Sequence, residues 1–154
     1  MKLYHLLTEE MIIPELESRE REDVLKEMVN VLKKKNKISK EKELLEKLIQ
    51  REKLGTTAIG EGVAIPHCKM KVARNPIVML AISKKGIDFE SIDGKASQIF
   101  FLVVSSAENP SLNLQILGAI SHLVRKANSL KDKILQAKNT KEIMEVIRQE
   151  EEKL

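Results

Sequence analysis

The sequence has no tryptophan, one tyrosine and three phenylalanines. Stacking successive bases of a single strand needs a platform of such rings, so their scarcity argues against nucleic-acid binding of that kind. One cysteine among 154 residues excludes an intramolecular disulfide framework and a multi-cysteine metal site. No apolar run approaches the roughly 20 residues of a membrane-crossing helix. The opening residues, MKLYHLLTEEMIIPELE, meet acidic side chains too early for a secretory leader and reach no small-residue cleavage site, so a cytoplasmic location is expected. Neither sign of charge dominates. The 27 basic and 23 acidic residues leave a net +4, far from a polyelectrolyte.

What is present suits one folded unit. Hydrophobic residues make up 42% of the chain and charged residues 32%, enough for both a core and a solvated surface. The length and the lack of a long linker predict a single domain over residues 1–154.

Hydrophobic spacing divides this domain into helical ends and a strand-rich middle. Within residues 15–35, Val24, Leu25, Met28, Val29 and Leu32 fall on one helical face. Ser39 is the expected cap of a second helix, which carries Leu44, Leu45, Leu48 and Ile49 and ends at Leu54-Gly55. Then come the short β-prone Val63-Ala64-Ile65 and two continuous apolar runs, Ile77–Ile82 and Ile99–Val104. Such runs fit strands buried on both faces. Asp93-Gly94 between them marks a turn, which allows the two to be antiparallel neighbours. Asn109-Pro110 reads as a cap followed by proline in the first helical position. A helix with Ile116, Leu117, Ile120, Leu123 and Val124 follows, then helical stretches around Ile134 and around Ile143, Val146 and Ile147. The acidic tail, residues 149–154, is expected to fray. The order predicts an α/β sandwich, a mixed sheet with helices on both faces.

Chemistry concentrates between Arg51 and His67. Two threonines and three glycines gather there between a helix and the short strand. Glycines allow close backbone approach, and free N–H groups in such a turn can cradle an anion; Thr56, Gly60 and Gly62 are the candidates. Pro66 stiffens the backbone before His67. An imidazole that is largely neutral at pH 7 is a good nucleophile toward phosphorus, and Arg51 and Lys69 bring positive charge nearby. On these features alone, a structural histidine at a strand end remains an open alternative. Gly60-x-Gly62 is neither a dinucleotide-binding fingerprint nor a phosphate-binding P-loop, because the third glycine and the Gly-Lys-Ser/Thr are absent.

The nineteen-residue run REKLGTTAIGEGVAIPHCK, residues 51–69, resembles the active-site signature of the fructose/mannitol-type enzyme IIA domains of the bacterial phosphotransferase system and of their nitrogen-regulatory relatives. The likeness extends through GIDFESIDGKASQIFFLVVSS and LNLQILGAISHLV over nearly the whole chain. It implies that His67 is the phosphorylated residue, accepting the group from the carrier protein HPr or a relative. The group would pass to an enzyme IIB domain on another chain, or stay as a regulatory mark. A non-catalytic signalling module that works by protein–protein binding is the alternative. The resemblance also implies that Arg51 neutralises phosphoryl oxygens bidentately, that Thr57 bonds a phosphoryl oxygen or orients the imidazole, and that no metal or other cofactor is needed. Any membrane contact would be indirect, through a permease partner, and no nucleic-acid partner is implied.

One position departs from the pattern. Where many relatives carry a second active-site histidine, this sequence has Asn113, which can donate a hydrogen bond but cannot carry charge. His122 lies about two and a half helical turns further on and cannot replace it. The other candidates read as ordinary structure. His5 and His122 fit packing or surface roles, Cys68 has no evident base, and Lys33-Lys34-Lys35 complements a helix end. Asp88, Glu90 and Asp93 fit a turn rather than paired-carboxylate chemistry.

Overall fold

The two apolar runs form the middle of the sheet. The computed structural model describes residues 1–71 and 75–154. In it β5 (Ile77–Ile87) and β6 (Ser97–Ser106) pair antiparallel, with Ile77 opposite Val104 and Ile82 opposite Ile99. Val78 to Ser83 and Ile99 to Ser105 are buried without interruption. Side chains alternate between faces along a strand, so unbroken burial means that both faces are covered. The connection is anchored by Phe89, whose fully buried ring meets Phe100 edge to face with centroids 5.2 Å apart.

Four short strands complete a mixed six-stranded sheet. β1 (Ile12–Ile13) runs parallel to β5. On the other side of β6 lie β3 (Val63–Ala64) and β4 (His67–Met70), both parallel to it. β2 (Ala58–Gly60) pairs antiparallel with β3. Strands of two to four residues carry too few side chains to show a period, which is why β1, β2 and β4 escape the sequence reading.

The helices keep the predicted faces with shifted ends. α1 (Arg21–Lys34) buries the five apolar residues expected of it. α2 (Glu41–Leu54) starts after Lys40, and Ser39 makes no capping bond, a correction to the expected cap. At its far end Gly55 takes φ 156°, and the helix stops where the sequence places the stop. α3 (Pro110–Lys126) starts as expected, with the Asn109 side chain accepting from the Leu112 N–H at 3.3 Å. α4 (Leu130–Gln136) and α5 (Thr140–Glu152) follow.

The C-terminal residues do not fray. α5 continues to Glu152, and Glu150 and Glu151 are buried. The Glu151 carboxylate accepts from the backbone N–H groups of Leu3 and Tyr4, at 2.7 and 2.8 Å, in the short 3-10 turn Leu3–His5. Lys2 reaches the Glu151 carbonyl at 2.8 Å. A buried carboxylate is stable only when hydrogen-bonded, and here the N-terminus supplies the donors. The composition of the tail reads as solvated because these partners lie at the other end of the chain.

Candidate functional site

Pro66 makes the break on which the site is built. β3 and β4 follow one register along β6: Val63 faces Ile99 and His67 faces Val103. Proline has no N–H to give to a ladder, so the strand is interrupted between the two pieces. The Pro66 carbonyl is still held, by the Val103 N–H at 3.0 Å. His67 therefore opens a new strand instead of closing the previous one, which corrects its expected place. Its backbone is fixed by β6, and its half-buried side chain remains at the surface of the sheet.

The imidazole is set by one short contact. His67 Nδ1 lies 2.7 Å from the Ile65 carbonyl oxygen. A carbonyl only accepts, so Nδ1 carries the proton and Nε2 keeps a lone pair. Desolvation pushes the His67 pKa below its ordinary value, against the Ile65 bond that raises it; the positive charges of Arg51 and Lys69 add smaller lowering effects. The ring is thus neutral near pH 7, with its nucleophilic nitrogen facing away from the backbone that holds it.

The end of α2 brings charge to this point. Arg51 lies in the last turn, and one guanidinium N–H donates to the Gly55 carbonyl at 2.8 Å. A guanidinium has five donors, and the others make no hydrogen bond among the described residues. The fork is therefore tethered to the helix end without being used up.

The hydroxyls of Thr57 and Thr56 are both taken by partners within the protein. The Thr57 hydroxyl donates to Glu52 Oε1, and its N–H donates to Glu52 Oε2 at 3.2 Å. Both residues are buried. The single donor of that hydroxyl is spent, so Thr57 cannot also donate to a phosphoryl oxygen. Thr57 reaches the imidazole only through backbone: its carbonyl accepts from the Ile65 N–H at 2.9 Å, and the Ile65 carbonyl holds His67. Thr56 turns away, donating to the Phe89 carbonyl at 2.6 Å. Glu52 is missing from the sequence reading. It looked like one more charge on a helix, and its only signal is its place inside the signature run.

The glycine pair does not form a cradle at His67. Glu61 and Gly62 have φ of 58° and 75°, so they make a tight hairpin turn between β2 and β3. The Glu61 N–H is taken by the Asp93 carboxylate at 3.2 Å. The Gly62 carbonyl accepts from Gln98 and Ile99, at 2.8 and 3.0 Å. Ile99 and Val103 are four residues apart on β6, which places the turn roughly 13 Å from His67. The glycines meet a local demand for left-handed backbone, and a Cβ on Gly62 would come within 2.8 Å of Lys131 Cδ. The anion-cradle expectation for Thr56, Gly60 and Gly62 is corrected on these grounds.

Asn113, by contrast, is held over the face of the sheet from which His67 projects. Directly paired strand residues share a face, as do alternate residues, so His67, Lys69, Val103 and Ser105 project from the same side of the sheet. The Ser105 hydroxyl donates to Asn113 Oδ1 at 2.7 Å, which brings the first turns of α3 over that side. Asn113 is buried, and its oxygen is committed to Ser105, so its Nδ2 is the end free to donate outward.

The remaining candidates lie apart from this centre or are inert. His122 and His5 are exposed, and His5 packs against Tyr4. Burial pushes the Cys68 thiol up to about 12, so it stays protonated at neutral pH. Asp93 accepts from Ser91, Lys95 and Glu61, the bonds of a turn. Among the described residues, no group of three or more His, Cys, Asp or Glu side chains is arranged to hold a metal ion, and no helix is long and apolar enough to cross a membrane.

Known proteins are similar to this chain over nearly its full length. Residues 5–150 fit the family described as phosphoenolpyruvate-dependent sugar phosphotransferase system, EIIA 2. The sequence is 34% identical over 149 residues to the fructose-specific EIIABC component of Bacillus subtilis; the match covers 97% of this chain and 23% of that protein. It is also 34% identical over 125 residues to a nitrogen regulatory protein of Bradyrhizobium diazoefficiens, a match covering 81% of each. Among solved structures, the complex of mannitol enzyme IIA with phosphorylated enzyme IIB from Escherichia coli superposes with a TM-score of 0.77 at 17% identity, covering 93% of this chain and 97% of that one.

Proposed function

The chain belongs to the phosphoenolpyruvate-dependent sugar phosphotransferase system EIIA 2 family, and on that premise we propose that it is a phosphocarrier with His67 as the phosphoryl acceptor. The observation that carries this reading is the 2.7 Å contact between His67 Nδ1 and the Ile65 carbonyl, which leaves Nε2 as the nucleophile.

The transfer follows from that geometry. The Nε2 lone pair attacks phosphorus while the P–N bond of the donor phosphohistidine breaks, and the bonding pair returns to the donor ring. His67 keeps its Nδ1 proton on the Ile65 carbonyl. The phosphorylated ring is then cationic, which offsets the phosphoryl charge and keeps the ring a good leaving group for the next step. Arg51 grips phosphoryl oxygens with its free N–H groups, and Asn113 Nδ2 donates from the opposite helix. Catalysis consists of positioning and charge neutralisation.

The donor is an HPr-like carrier and the acceptor an enzyme IIB domain. The Escherichia coli mannitol complex and the joined A, B and C components of the Bacillus protein support an enzyme IIB domain as the partner. A second reading, with the group retained on His67 as a regulatory mark, is supported by the Bradyrhizobium match, which covers most of both chains.

Incubation with phosphoenolpyruvate, enzyme I and HPr, followed by intact-mass measurement, tests the proposal. One acid-labile phosphoryl group is expected on the wild type and none on His67→Ala. An unmodified wild type beside an active donor system overturns it. Discharge on adding an IIB domain separates the transport reading from the regulatory one.

A further inference from the structure

Glu52 is a buried carboxylate that follows Arg51 in α2 and is bonded to Thr57, and the transfer described above does not use it. Its relative exposure is 5%. Burying a carboxyl is costly, and an apolar side chain would fill the same space at less expense. Desolvation raises its pKa, while the Thr57 bonds and the charges of Arg21 and Arg51 act the other way. Both of its oxygens go to a single residue, the N–H and O–H of Thr57.

From Thr57 the chain of contacts leads to the reactive ring. The Thr57 carbonyl holds the Ile65 N–H at 2.9 Å, and the Ile65 carbonyl holds His67 Nδ1 at 2.7 Å. Thr57 lies two residues after Gly55, whose φ is 156°, where no helical ladder fixes the chain. Glu52 supplies that fixing from the last turn of α2, five residues back.

We propose that Glu52 is a positioning residue for His67: by clamping Thr57 it sets the Ile65 carbonyl, and through it the Nδ1–H tautomer that leaves Nε2 free. The inference rests on the reading of His67 as the phosphoryl acceptor. Glu52 itself touches neither the phosphoryl group nor the imidazole.

The test joins a spectroscopic readout to a kinetic one. Long-range 1H–15N correlation spectra of the unphosphorylated protein report the His67 tautomer without any donor. The wild type should show the Nδ1–H form, and Glu52→Ala should show an added Nε2–H population. Transfer from phospho-HPr should lose about tenfold in kcat, the scale of one hydrogen bond, with KM unchanged within about twofold. Glu52→Gln, whose amide oxygen still accepts the Thr57 N–H, should recover most of both signals. Thr57→Val keeps the N–H and loses the hydroxyl, and should fall between. Adding Thr57→Val to Glu52→Ala should cost no more than Glu52→Ala alone, since the two act as one unit.

A folded Glu52→Ala protein with the wild-type tautomer and wild-type kcat overturns the proposal. If Glu52→Ala does not fold, Glu52→Gln and Thr57→Val carry the test, and wild-type tautomer and rate in both overturn it. A wild type left unphosphorylated at His67 defeats the functional reading instead, and the tautomer spectra still decide whether Glu52 positions the ring.

Discussion

The signature run has two ends along β6, and they are built in opposite ways. At the turn end, Gly60 to Gly62 closes a hairpin in which the Glu61 N–H and the Gly62 carbonyl are occupied, by Asp93, Gln98 and Ile99. At the histidine end, the backbone is equally well held, by Val103, Thr57 and the His67 ring, yet His67 Nε2, most of the Arg51 fork and Asn113 Nδ2 make no hydrogen bond among the described residues. A glycine-rich loop tied to its neighbours by such bonds is a turn. A site needs donors and lone pairs held in place without being used. The proline makes the difference, since it breaks the ladder where a side chain must emerge.

Perturbing the histidine end should have the larger effects. Arg51→Lys replaces a fork with a point charge and should cost roughly 1.5–3 kcal/mol in transfer, about ten- to a hundredfold in rate. Stopped-flow transfer from phospho-HPr measures it, and an unchanged rate would remove Arg51 from the site. Asn113→Ala should slow single-turnover transfer by about two- to tenfold, since it removes one neutral donor. Asn113→His should raise the rate and steepen its dependence between about pH 6 and 7.5, because an imidazole near its ordinary pKa of about 6.5 can bring a proton and a charge. Identical rates and profiles for all three proteins would show that position 113 does not meet the phosphoryl group.

The lowered His67 pKa sharpens the comparison through pH. Because the folded protein holds the ring neutral more firmly than the unfolded chain does, its contribution to stability is full above the unfolded value of about 6.5 and is lost as pH falls. Transfer by the wild type should therefore stay level down to about pH 6.5 and decline only below it. Denaturant midpoints for wild type and His67→Gln should converge in acid relative to neutral pH.

The turn end should respond only in stability. Gly62→Ala forces a Cβ into left-handed backbone and against Lys131, so it should destabilise by roughly 1–2 kcal/mol. Transfer per folded molecule should be unchanged. A tenfold loss of transfer at full folding would return the glycines to the site. The smallest effect concerns Cys68: a thiol pushed up to about 12 should resist alkylation at pH 8 in the folded protein and be labelled readily once the chain is unfolded.

How far the sequence could be read follows from where each signal resides. His67 and Arg51 stood out as candidates because they lie inside one contiguous run that resembles a family signature. The central strands were legible because fully buried strands are written as unbroken apolar stretches. The helix faces were equally plain, from Val24 to Leu32 and from Ile116 to Val124. The hairpin glycines were recognised as a turn but assigned to the wrong place, since their distance from His67 is set by register on β6, which the local sequence does not encode. Glu52 was not singled out, and Glu151 was read as part of a fraying acidic tail. Each is buried by partners that only the fold supplies: Thr57 beyond a helix end, and Leu3 and Tyr4 at the far terminus. Thr57 was given either a phosphoryl contact or a hold on the imidazole, because the partner of its hydroxyl, Glu52, was not visible.

The central claim is that His67 presents Nε2, with Nδ1 held on the Ile65 carbonyl. Long-range 1H–15N and 15N–31P correlation spectra of the protein phosphorylated through HPr test it most directly. The account predicts a single phosphoryl group on His67 Nε2 with the proton retained on Nδ1. Phosphorus on Nδ1, or on any residue other than His67, would contradict it.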